Sequence, residues 1–159
     1  MPRVVIPDSF HPSLQFRYKV LSSKLPGAHF YARSAQQPSL ETNPVTVEHI
    51  NAYFKVKGKL RWNSITLSCY QFEGMTAQQL WDYINGSHQT VSSATDTYAP
   101  AYKHDMQILT LAPDGDTPVA TWKLVGAFIE SSNWGDMDWG TDDVIQCEIT
   151  VAYDYAMLT

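Results

Sequence analysis

The run Val144-Ile145-Gln146-Cys147-Glu148-Ile149-Thr150-Val151-Ala152-Tyr153-Asp154-Tyr155 alternates along its whole length. Ile145, Cys147, Ile149, Val151, Tyr153 and Tyr155 fall on one side, Gln146, Glu148, Thr150 and Asp154 on the other. Successive side chains of a β-strand point to opposite faces, so so long a period of two predicts a strand with one buried and one wet face. Working outward, the same pattern recurs. Leu14, Phe16, Tyr18 and Val20 alternate with Gln15, Arg17 and Lys19, and Ile65, Leu67 and Cys69 alternate with Ser64, Thr66 and Ser68. Residues 28–34 read as a further strand. Residues 106–111 and 119–129 flank the turn signal Pro113-Asp114-Gly115-Asp116 and predict an antiparallel hairpin, with Trp122, Leu124 and Phe128 sharing one face of its second arm.

One helix is expected. Thr76 and Gln79 form a capping box, Met75 and Leu80 a hydrophobic staple, and Leu80, Trp81 and Ile84 a buried stripe that Gly86 ends in a left-handed conformation. Residues 87–104 are polar, without a period, and read as a loop. Residues 45–63 read as a long extended loop or irregular hairpin, with Lys55, Lys57, Lys59 and Arg61 at alternate positions. Charges so placed discourage uncontrolled pairing at a sheet edge. The expectation is a mainly β fold of six or seven strands, an antiparallel β-sandwich or small barrel with one packed α-helix, in a single domain spanning residues 1–159.

Composition agrees. The chain is 44% hydrophobic, 13% aromatic and 17% charged, which suits one folded domain and excludes a disordered one. No apolar stretch is long enough to cross a bilayer, and residues 1–13, an arm punctuated by Pro2, Pro7 and Pro12, lack the apolar centre of a secretory signal. Charge is divided along the chain. Residues 1–62 hold nine Lys or Arg against three acids, whereas residues 63–159 hold two Lys against thirteen acids. Such a split suits self-association, in which the basic region of one copy meets the acidic region of another; a simply solvated surface is the alternative.

No chemistry is signalled. His11, His29, His49, His88 and His104 stand far apart without metal-ligand spacing, and no phosphate loop, nucleophile elbow or HExxH pattern occurs. Asp136, Asp138, Asp142 and Asp143 lack the spacing and closing Glu of a calcium loop and read as an acidic contact surface. No enzyme activity, cofactor or metal is expected. Cys69 and Cys147 lie on apolar strand faces and read as free buried thiols, with a disulfide between them or between subunits as the alternative.

The order of these parts resembles the tail tube proteins of contractile-tailed, T-even type bacteriophages and, more remotely, the tube proteins of type VI secretion systems. The segment from Met137-Asp138-Trp139-Gly140 to Asp154-Tyr155 carries the resemblance most strongly, with an Asp-Trp pair, a short polar loop and a last strand ending Asp-Tyr. The first strand after Pro12, Leu25-Pro26-Gly27, the strand 63–69 and Gln78-Gln79-Leu80-Trp81-Asp82 add weaker matches. The resemblance implies a structural virion protein that catalyses nothing. Its subunits form hexameric rings whose inner sheets join edge to edge, and the rings stack into a tube inside a sheath, between baseplate and neck proteins. Double-stranded DNA passes through without specific binding, and assembly takes place in the host cytoplasm. Residues 45–63 correspond to the family's inter-subunit loop. We therefore expect Lys55, Lys57, Lys59 and Arg61 to dock near Asp136, Asp138, Asp142 and Asp143 of a neighbour, with Ile50, Tyr53, Phe54, Trp134 and Trp139 supplying apolar burial. A tube initiator or terminator of the same fold is one alternative, and a carbohydrate-binding β-sandwich, suggested by the five Trp and nine Tyr, is another.

Overall fold

Alternating apolar side chains build two antiparallel layers that share one long strand. The computed structural model describes residues 12–25, 32–72, 76–88 and 95–159. In chain order these form β1 (Tyr18–Ser22), β2 (Ala32–Ala35), β3 (Ser39–His49), β4 (Ala52–Asn63), β5 (Ile65–Tyr70), α1 (Thr76–Ser87), the single turn α2 (Ala99–Tyr102), β6 (His104–Leu111), β7 (Pro118–Asn133), β8 (Gln146–Ala152) and β9 (Tyr155–Leu158). Seven strands join in the order β1-β6-β7-β8-β5-β2, with β9 also on β7, and every pair is antiparallel. The first part of β7 pairs with β6 and β9, and its last part with β8. One layer is therefore β1, β6, β7 and β9, and the other β7, β8, β5 and β2. They enclose a common core of Val20, Met106, Ile108 and Leu124 from the first and Ile65, Leu67, Cys147, Ile149 and Val151 from the second. At the far side the layers approach again, where the Tyr18 hydroxyl donates to the Ala32 carbonyl at 3.1 Å.

The corner in β7 is made by Gly126, whose φ of +67° lies in the left-handed region. It resets the alternation. Leu124 and Ala127 are both buried, so Ala127, and not Phe128 as the period implied, is the next residue in the core; Phe128 packs instead edge-on against Tyr102 at 5.7 Å. Opposite the corner, the last strand breaks at Tyr153 and Asp154. Tyr155 consequently belongs to β9 and is exposed, in contrast to the single buried face expected of residues 144–155. Asp154 is fixed there by its amide, which donates to the Val125 carbonyl at 3.0 Å, and by Lys103, whose Nζ reaches its carboxylate oxygens at 2.8 and 2.9 Å.

Helix α1 buries Leu80 and half-buries Ile84, but Trp81, expected in the same buried stripe, is exposed. It runs through Gly86 to Ser87, and Gly86 is not left-handed, so the expected glycine stop is absent; the Ser87 hydroxyl donates to the Ile84 carbonyl at 2.8 Å in the last turn. Met75 and the Thr76 side chain, on which the staple and capping box rest, lie outside the described residues, as do 26–31, part of the strand expected over 28–34, and 1–11 of the N-terminal arm. The segment expected as a loop at 87–104 contains α2 and a bridge between His88 and Asp96.

Cys69 and Cys147 are both free and buried, and they stand directly opposite each other on β5 and β8. A hydrogen bond with the Cys147 thiol, together with burial, pushes the Cys69 thiol up. They act as small core residues.

Nine strands occur among the described residues where six or seven were expected, mainly because residues 39–63 form a regular hairpin, β3–β4, hydrogen-bonded to neither layer. Its register pairs Val45 with Val56, Val47 with Phe54, Thr46 with Lys55, Pro44 with Lys57 and Glu41 with Arg61. A bulge beside Asn43 is set by Gly58, where a Cβ would lie 1.9 Å from the Asn43 carbonyl oxygen. At the root, Trp62 packs on Tyr153 with ring centroids 6.0 Å apart. At the tip, Ile50 has a φ of +48° and is 92% exposed. A β-branched residue in that region is strained by about 1–3 kcal/mol. Ile50→Asn, which tolerates the left-handed region, is expected to stabilise the isolated subunit by about 1 kcal/mol, read from the denaturant midpoint. An unchanged midpoint would show the tip to be relaxed.

Candidate self-assembly surfaces

Two surfaces hold the sequence-expected contact residues. The first is the hairpin. Toward its tip one face carries Val45, Val47, Phe54 and Val56, all exposed, while the other carries Thr46, Glu48, Tyr53, Lys55 and Lys57. Leu40 and Leu60 are also exposed near the root. An apolar face on an unsupported ribbon is the composition of an interface, because a two-stranded ribbon alone is marginal in water. The sequence pattern singled out Ile50, Tyr53 and Phe54. It missed the valines, whose alternation with polar neighbours looks like that of any half-buried strand.

The second surface is the connection between β7 and β8. Gly135, at a φ of +81°, turns the chain out of β7, and its amide donates to Asn133 Oδ1 at 3.0 Å. Trp134 turns inward, half-buried at the core's edge and tilted against Trp81 at 6.5 Å, so it holds the loop's base to α1. Beyond it Met137 is 82% exposed, Trp139 fully exposed and Val144 57% exposed, among Asp136, Asp138, Asp142 and Asp143. The Gly140 amide donates to Asp138 Oδ1 at 2.9 Å; that bond and one with the Thr141 side chain hold the Asp138 carboxyl below its ordinary value. Asp138 therefore keeps its charge further into acid than an ordinary aspartate. Hairpin and loop share one design of opposite sign, exposed large apolar side chains set among cations on one and anions on the other.

Titratable groups elsewhere serve the fold. His104, the first residue of β6, is buried and lies edge-on to the ring of Tyr83 from α1 at 5.4 Å, and Tyr83 donates to the Tyr102 carbonyl at 2.8 Å. Among the described residues His104 Nε2 has no hydrogen-bond partner. Burial lowers the His104 pKa, with Lys24 adding to the shift and the Tyr102 carbonyl and Asp105 opposing it. The folded state thus holds a neutral imidazole, whereas the unfolded chain takes up a proton near 6.5. Stability is complete above that pH and falls as pH drops toward the depressed folded value, by at most about 1.4 kcal/mol per pH unit. Urea midpoints between about pH 7.5 and 5 should show this loss, and His104→Phe should flatten it. Equal slopes in both proteins would remove the histidine from the account. Among the described residues no group of three or more His, Cys, Asp or Glu is placed to hold a metal ion, and no helix is long and apolar enough to cross a membrane.

The sequence profile described as T4-like virus tail tube protein gp19 matches residues 14–157. The chain belongs to that tail tube family. No curated protein matches it. Among solved structures, the anti-feeding prophage cap, a tube-terminating cap, superposes with a TM-score of 0.75 at 19% identity, covering 99% of this chain and 95% of that one. The sheath–tube complex of the extracellular contractile injection system PVC, in its extended state, gives 0.70 at 23% identity, covering 94% and 92%. Hcp1 from Flavobacterium johnsoniae gives 0.51 at 11% identity, covering 89% and 93%. At these identities the likeness is one of fold. This tail tube protein shares its two-layered β architecture with tube, cap and Hcp chains, and it belongs with the structural components of phage tails and related injection particles.

Proposed function

We propose that this chain is the repeating subunit of a contractile tail's tube. It forms hexameric rings that stack into the conduit for DNA ejection and the core around which the sheath assembles, with baseplate and neck proteins at its ends. The observation that carries the reading is the pairing of exposed surfaces: an apolar, cationic hairpin outside both layers, and an apolar, anionic loop on the same chain. A head-to-tail contact between unlike patches can repeat from ring to ring without closing, as a tube requires. In the stacked tube, Lys55, Lys57, Lys59 and Arg61 meet Asp136, Asp138, Asp142 and Asp143 of the adjacent ring. Ile50, Tyr53, Phe54 and Trp139 are buried there, and Trp134 supports the loop from within. Charges set the register, while each large apolar side chain that is fully covered contributes about 1.5–3 kcal/mol.

Electron microscopy of the purified protein, across salt and protein concentration, tests the reading. Rings or hollow filaments are expected. A protein that remains monomeric at millimolar concentration, at every ionic strength and with a baseplate seed present, would refute it.

A further inference from the structure

The sheet brings the two cysteines of the chain together. Cys69 on β5 is directly opposite Cys147 on β8, and both are buried in the common core. Two residues further along the pair of strands, the Gln71 amide donates to the Ile145 carbonyl at 2.9 Å. Opposed residues of antiparallel strands alternate between hydrogen-bonded and non-hydrogen-bonded pairs, so Cys69 and Cys147 form a hydrogen-bonded pair, with alpha carbons about 5.5 Å apart. A disulfide asks for alpha carbons about 4.4–6.8 Å apart and side chains on one face. The register meets both conditions, and the two thiols are already within hydrogen-bond reach of each other.

We infer that Cys69 and Cys147 are a modification site: a small-molecule disulfide such as oxidised glutathione closes them into a reversible cross-strand disulfide that staples β5 to β8. The reaction is two successive exchanges. The Cys147 thiolate attacks one sulfur of the small disulfide, whose S–S bond breaks; a mixed disulfide forms on Cys147, and the departing thiolate takes up the proton that Cys147 lost. The Cys69 thiol then gives up its proton and attacks the Cys147 sulfur, and the second small thiolate leaves with that proton. Two protein thiols are oxidised by two electrons, and one small disulfide is reduced to two thiols. Cys147 attacks first, because the hydrogen bond with the Cys69 thiol lowers its pKa against the opposing effect of burial.

Burial of both sulfurs confines the exchange to local openings of the layer, so it is slow. In a reducing cytoplasm the pair stays as thiols, and in oxidising surroundings it closes. The bond forms just where the acidic loop enters β8, beside the end of β5. Its chemistry needs a single subunit and no tube.

Thiol counting on the unmodified protein is the test. The native protein is equilibrated in glutathione buffers from fully reduced to fully oxidised, quenched in acid, and alkylated with a maleimide while unfolded. Two alkylated thiols are expected at the reducing end and none at the oxidising end. The oxidised protein should have lost two hydrogens from its intact mass, yield one peptide pair joining Cys69 to Cys147, and run as a monomer on a non-reducing gel. Its urea midpoint should rise, with an unfolding constant about a hundredfold lower, and dithiothreitol should reverse the rise. Cys69→Ala and Cys147→Ala, each alone, should abolish it. Thiols that stay open to alkylation in every buffer, a lasting glutathione adduct, a bond between subunits, or a midpoint that does not rise would each overturn the staple. Should either variant fail to fold, the unmodified protein decides alone.

Discussion

Gly126→Ala is expected to destabilise the isolated subunit by about 2–4 kcal/mol, from a left-handed backbone that alanine adopts under strain and from a contact with no room for a methyl group. A Cβ at this position would lie 2.2 Å from Asp154 Oδ2, at a φ of +67°. The carboxylate has little freedom to withdraw, because Lys103 holds both of its oxygens and the Asp154 amide is bonded to Val125. Urea denaturation measures the loss. Asp154→Ala placed in the same chain should return the steric part, since it removes the obstructing atoms and sacrifices only a partly exposed ion pair, worth about 1 kcal/mol or less. The backbone part should remain, and the double-mutant cycle separates the two. A midpoint unmoved by Gly126→Ala would mean that the corner lies elsewhere.

Reversing Lys55, Lys57 and Lys59 together to Glu should abolish tube formation and leave the subunit folded. The hairpin is hydrogen-bonded to neither layer and all three lysines are exposed, so the core does not register the change. At the proposed ring contact the substitution sets carboxylates against Asp136, Asp138, Asp142 and Asp143. Like charges in such proximity cost several kcal/mol; about 4 kcal/mol lowers the association constant about a thousandfold. Sedimentation and electron microscopy read the assembly state, and circular dichroism reads the fold. Partial recovery at high salt is expected, because screening weakens the repulsion while the apolar contacts persist. Normal tubes from the triple variant would exclude this docking.

Much of this fold is legible where burial and period coincide. Cys147, Ile149 and Val151 are buried at alternate positions, as are Ile65, Leu67 and Cys69, and the turn at residues 113–116 lies between β6 and β7 as its Pro and Gly indicate. Reading fails where no neighbour within the subunit enforces a face. The hairpin β3–β4 is exposed on both sides, so its valines and lysines carry no contrast between inside and outside, and two regular strands resemble an irregular loop. Gly126 hides a second failure, since a single left-handed residue shifts the parity of the residues just after it, and Phe128 leaves the core as a result. Gly86 is the converse case, a glycine whose own backbone is not left-handed and which continues the helix to Ser87. Of the candidate contacts, the split of charge is plain in the sequence. The inward turn of Trp134, in contrast to Trp139, is a product of tertiary packing against Trp81 and α1.

Strand β7 has a mechanical meaning as well. Tension along its axis would meet hydrogen bonds to β6 and β9 on two flanks over residues 122–125, and to β8 further on. Those bonds are perpendicular to the pull, so they must rupture together in shear and cannot be unzipped singly. The sixteen-residue strand thereby distributes a longitudinal load through both layers before any part of the core opens.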